Sequence, residues 1–80
     1  MKIKLLCFGI TRDILGQFEK EIELEPQATV RVLKDFLHEN YPDFSKLKSL
    51  RIALNEEYAE DAQVLSPNDE IVLIPPVSGG

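Results

Sequence analysis

Between Lys2 and Phe8 the residues Ile3, Leu5 and Cys7 alternate with Lys2, Lys4, Leu6 and Phe8. A period of two is what a strand with one face turned inward imposes. The opposite phase of this strand starts charged and ends apolar. From Phe18 to Glu25 the alternation is stricter, with Phe18, Ile22 and Leu24 set against Glu19, Glu21, Glu23 and Glu25. It predicts a half-buried second strand with an acidic outer face. Between the two, Ile10 to Leu15 predicts a short helix, with Thr11 as its cap and Gly16 as a left-handed stop. So short a connection makes the flanking strands antiparallel neighbours.

Further along, Val30, Leu33, Phe36 and Leu37 recur at helical spacing. Thr29 is the expected N-cap, and Pro42 forbids continuation beyond about Asn40. A loop is expected next. Leu50, Ile52 and Leu54 then alternate with Arg51 and Ala53 as a third strand, Asn55-Glu56 turns the chain, and Tyr58 falls in a brief edge strand. Ser66-Pro67-Asn68-Asp69 has β-turn composition and leads into a last strand, Glu70 to Ile74. One main helix across a mixed sheet of four or five strands is an α+β fold, in which the helix's apolar stripe is buried against the inward faces of the strands.

Eighty residues make one domain, and a chain this short buries only about 60% of the surface its unfolded state exposes. A deep catalytic cleft is therefore not expected. With Cys7 the only cysteine and His38 the only histidine, neither an internal disulfide nor a Cys/His metal site can be assembled, and a reducing, cytoplasmic setting fits best. The apolar runs are of strand length, so no membrane span or signal segment is expected. Fourteen acidic against nine basic residues give a net charge of −5. That balance disfavours nucleic acid and favours a basic protein surface as partner.

No phosphate loop, nucleophile elbow, His-Glu-x-x-His or Cys-x-x-Cys occurs in the sequence, so a self-contained enzyme is not expected. Cys7 falls in the inward phase of its strand, which suits a packing role. His38 lies late in the main helix, where it favours the dipole or faces water. Two other features carry more. Leu6, Phe8, Val72 and Ile74 fall on the face opposite the core; if the first and last strands are neighbours, they form a contiguous apolar patch suited to another protein. Beside it the sequence closes on Pro75-Pro76-Val77-Ser78-Gly79-Gly80. Prolines stiffen such an arm, and glycines without β-carbons allow its tip into a narrow channel. Residues 1–74 thus read as the folded body and 75–80 as an extended tail.

The segments Asp69-Glu70-Ile71-Val72-Leu73-Ile74-Pro75-Pro76-Val77-Ser78-Gly79-Gly80, Phe8-Gly9-Ile10-Thr11-Arg12-Asp13-Ile14-Leu15-Gly16 and Ala53-Leu54-Asn55 together resemble the small subunits of molybdopterin synthase. These are MoaD-type members of the MoaD/ThiS group of ubiquitin-like β-grasp sulfur carriers. The likeness runs over essentially the whole chain. A glycine often found before the Asp-Glu pair is Asn68 here, a residue that also tolerates left-handed geometry. Leu73 and Ile74 stand where relatives carry phenylalanines.

The resemblance implies a ubiquitin-like β-grasp fold and a carrier with no bound cofactor. It further implies that Gly80 passes through an acyl adenylate to a thiocarboxylate, formed by an ATP-dependent adenylating enzyme and a sulfurtransferase system. The tail, Pro75, Pro76, Val77, Ser78 and Gly79, would then enter a large catalytic subunit, within a heterotetramer, to deliver sulfur to a pterin precursor. Phe8, Tyr58 and Ile74 match partner-docking positions; Arg12 lies in the matching motif without an assigned role. A sulfur carrier for thiamine thiazole synthesis, a ubiquitin-like modifier and an interaction module without tail chemistry are the alternatives.

Overall fold

The computed structural model describes residues 1–47 and 50–75. Its elements, in chain order, are β1 (Lys2–Cys7), α1 (Ile10–Leu15), β2 (Glu19–Glu23), α2 (Val30–Asn40), a 3-10 turn (Pro42–Lys46), β3 (Arg51–Leu54), β4 (Glu57–Tyr58) and β5 (Ile71–Ile74). The five strands form one mixed sheet in the order β2-β1-β5-β3-β4. The two central strands, β1 and β5, run parallel with Leu6 opposite Val72, and all other pairings are antiparallel. The expected β-grasp arrangement of one main helix across a mixed sheet is the one observed.

The alternation in the sequence explains the packing. Ile3, Leu5 and Cys7 of β1, Ile71 and Leu73 of β5, and Ile52 and Leu54 of β3 are buried on one face, and α2 lays Val30, Leu33 and Leu37 on it. The first four amides of α2 all have acceptors. Val30 donates to the Gln63 carbonyl, Arg31 to the Asp61 carbonyl, Val32 to the Thr29 hydroxyl and Leu33 to the Thr29 carbonyl. Thr29 is therefore the N-cap that the sequence predicts, and the 60–64 segment completes the cap.

Four expectations are corrected. Thr11 does not cap α1; that position is Gly9, and Thr11 is buried one turn in. Its hydroxyl accepts from the Phe8 amide at 3.0 Å and donates to the Phe8 carbonyl at 2.6 Å, satisfying the end of β1 instead. Phe18 is not inward: it precedes β2 and is 54% exposed. It packs instead against Phe8 and under the Arg12 guanidinium. The segment after α2 is no plain loop but a 3-10 turn whose Phe44 is fully buried. Asn68 is not among the residues with positive φ, so its turn needs no left-handed residue. Gly16, at φ 77°, does end α1 in the left-handed region.

Candidate docking face and tail root

The face of the sheet opposite α2 is built by the outward phase of each strand. Register places Leu6 opposite Val72, Val72 opposite Ala53 and Ala53 opposite Tyr58. These four residues form a row across four strands. Ile74, paired with Arg51, lies in the next row toward the end of β5, on the side where β1 runs out into Phe8. Leu6, Val72 and Ile74 are half-buried, whereas Phe8 is 48% and Tyr58 64% exposed. Leu6, Val72 and Ile74 thus share the face that the sequence predicts for them, Tyr58 joins them there, and Phe8 lies just past the end of β1 at its corner.

Ala53 is the member that sequence reasoning missed. Its small side chain leaves a depression of about 380 Å³ whose lining includes Tyr58, Val72 and Ile74. The signal was present in the alternation of β3, where Ala53 is out of phase with Ile52 and Leu54. A depression lined by Tyr58, Val72 and Ile74 together with Glu56 and Glu70 accepts an apolar knob flanked by polar or basic groups from a partner.

The borders of the face are polar. The Arg51 guanidinium lies over the Tyr58 ring, 4.7 Å from its centroid. Lys4 lies 3.7 Å from Glu19, and Glu19, Glu21 and Glu23 are exposed, forming the acidic outer face expected for β2. At the Phe8 corner, Phe8 and Phe18 meet edge to face with ring centroids 6.2 Å apart, and the Arg12 guanidinium sits 4.1 Å from the Phe18 centroid. This gives Arg12 a physical role: a cation held over an aromatic face.

Pro75 lies next to Gly9, so the chain leaves β5 at the Phe8 corner of the apolar face. The remaining tail positions read from the sequence, Pro76, Val77, Ser78, Gly79 and Gly80, lie outside the described residues. Cys7 is fully buried, and burial pushes its thiol up from its ordinary value, which keeps it protonated and suits packing. His38 is exposed in the last turn of α2 and packs edge-on to Phe44. Among the described residues, no group of three or more His, Cys, Asp or Glu side chains is placed to hold a metal ion. No helix among them is long and apolar enough to cross a membrane.

Comparison with known proteins agrees with this geometry. The ThiS family model matches residues 5–80. The molybdopterin synthase sulfur carrier subunit of Chlamydomonas reinhardtii is 36% identical over the full length of both chains. Among solved structures, a Pyrococcus furiosus protein described as subunit 1 of a molybdopterin converting factor superposes with a TM-score of 0.85 at 28% identity, covering 96% of this chain and 99% of that one. A chain from the Helicobacter pylori complex of subunits 1 and 2 of molybdopterin-converting factor superposes with a TM-score of 0.68 at 27% identity, covering both chains fully. A family match over residues 5–80 and a relative covered end to end establish that the chain belongs to the ThiS family.

Proposed function

We propose that this protein is the sulfur-carrier subunit of a molybdopterin synthase, acting through a C-terminal thiocarboxylate on Gly80. The reading is carried by the apolar row Leu6–Val72–Ala53–Tyr58 lying beside the point where Pro75 leaves the sheet toward Gly79-Gly80. The names of the relatives support it, and the Helicobacter pylori complex of two subunits supports a large catalytic subunit as partner.

The chemistry follows from the terminal group. A terminal carboxylate has a pKa of about 3.3–3.7, so at neutral pH it is an anion and a poor electrophile. Attack of that carboxylate on the α-phosphate of ATP, with pyrophosphate leaving, gives an acyl adenylate. Hydrosulfide supplied by a sulfurtransferase system then attacks the acyl carbon, AMP leaves, and loss of the proton gives the thiocarboxylate. This chain contributes presentation. The sheet face docks on the partner through Phe8, Tyr58 and Ile74, and the arm from Pro75 and Pro76 through Val77 and Ser78 enters its active site. Gly79 permits passage, and Gly80 bears the sulfur. Tethering converts sulfur delivery into an effectively intramolecular step, and a stiff arm reduces the entropy lost on insertion.

Reconstitution tests the assignment. The thiocarboxylated chain, mixed with a molybdopterin synthase large subunit and the pterin precursor, should form the dithiolene, with the carboxylate form returned. Transfer to a thiazole precursor instead, or conjugation to lysines, would reassign the carrier.

A further inference from the structure

A depression larger than the one beside Ala53 lies away from the docking face. It lies on the flank of α2, at the other end of β1, with a volume of about 710 Å³. Its apolar lining includes Met1, Leu24, Val32 and Phe36. Val32 and Phe36 are one helical turn apart and lie beside, not within, the core stripe of Val30, Leu33 and Leu37. Val32 is 42% exposed. A β-branched residue at an exposed helix position is favoured neither by helix propensity nor by core burial, so its presence there calls for a contact.

Four carboxylates border this floor: Glu23 and Glu25 on one bank, Asp35 and Glu39 on the other. Asp35 lies 3.5 Å from Arg31, and Glu23 the same distance from the N-terminal amine. Glu25 and Glu39 have no cation within ion-pairing distance among the described residues. An apolar trough bordered by carboxylates on both banks is complementary to one kind of occupant, an aliphatic side chain flanked by lysines or arginines.

The geometry points to a second docking site here, for a basic amphipathic segment of a partner protein. Met1 precedes β1 and Phe8 follows its end, so the groove and the tail root are about 23 Å apart at about 3.3 Å per strand residue. The groove also opens on the helix side of the sheet. Both sites can therefore be occupied at once, and a protein held in the groove can stay bound while the tail is inserted elsewhere. This inference is independent of the sulfur chemistry.

The test is an amide NMR titration of the full chain with a short synthetic peptide of alternating leucine and lysine, and with its leucine–glutamate counterpart. The lysine peptide should give saturable shifts centred on Leu24, Val32 and Phe36, at least threefold weaker in high salt. The glutamate peptide should give none. Val32→Glu and, separately, Glu39→Lys should weaken binding at least tenfold, while Ile74→Asp leaves it unchanged. Absence of saturable shifts, shifts spread along Glu19 and Glu21, or full binding by both groove variants would overturn the proposal. So would self-association abolished by Val32→Glu, which would assign the groove to a second copy of this chain.

Discussion

Gly9 packs against Pro75: a β-carbon on Gly9 would lie 3.5 Å from the Pro75 Cγ, and Gly9 itself holds φ 57° and ψ −131°. The turn out of β1 and the departure of the chain from β5 thus share one corner. A separation of 3.5 Å is ordinary contact, so the demand for glycine is set by the backbone angles and not by a clash. Gly9→Ala should destabilise the fold by about 1–3 kcal/mol, measured by chemical denaturation. A D-alanine placed there by synthesis, whose preferred angles include this region, should recover most of the loss. Equal losses for both would show that the backbone angles are not what demands glycine at this position.

Asn55 and Glu56 hold φ 52° and 75°, the two positive values of a primed hairpin turn. Asn55 also fastens the turn to the start of β5. Its amide nitrogen donates to Asp69 at 3.0 Å, and its side-chain oxygen accepts from the Glu70 amide at 2.9 Å. Asn55→Ala loses both bonds and the tolerance for positive φ, and should cost about 2 kcal/mol. Glu56→Gly relieves strain and should leave stability equal or raise it by about 0.5 kcal/mol. Urea midpoints of the two variants check the pair of signs.

The sheet face can be tested apart from the fold. Ile74 is half-buried and Tyr58 exposed, so Ile74→Asp and Tyr58→Ala should shift the thermal midpoint little. Each should weaken association with a large subunit at least tenfold, or about 1.4 kcal/mol. Calorimetric titration that shows unchanged affinity for both would remove this face from the docking surface.

Lys34 donates to Asp61 at 2.7 Å, and that hydrogen bond, followed by the charge of Lys34, holds the Asp61 carboxyl below its usual value of 3.8. A depressed folded-state pKa adds stability above the unfolded value, and that stability is lost as pH falls through the folded one. Asp61→Asn should therefore lower the thermal midpoint near neutral pH, and the gap from the parent should close as pH falls below about 4. A gap independent of pH would show that the carboxylate charge is not what ties the 60–64 segment to α2.

The fold was largely legible because each element has a strong local signal. Alternation in β1 and β3, the Thr29 cap, the Pro42 stop and the Asn55-Glu56 turn all agree with the tertiary arrangement. Two of the misreadings, at Phe18 and at Phe44, concern side-chain placement that no local pattern encodes. Phe18 has the inward phase but lies just before β2, exposed, against Phe8 and Arg12. Phe44, a lone aromatic between Pro42-Asp43 and Ser45-Lys46, gives no period to read, yet it is fully buried. At the candidate site, the outward apolar residues of β1 and β5 were legible. Tyr58 and Ala53 join them only through the β5-β3-β4 order, which a sequence does not display.

Whether Gly80 carries transferable sulfur is decided by the intact mass of the chain after incubation with an adenylating enzyme of this family, ATP and a sulfide donor. The expected result is a mass increase of one oxygen-for-sulfur exchange, located on Gly80 and abolished by Gly79→Val or by one added residue after Gly80, with the fold intact. An unchanged mass under conditions that load a known carrier, or sulfur found on Cys7 instead, would contradict it.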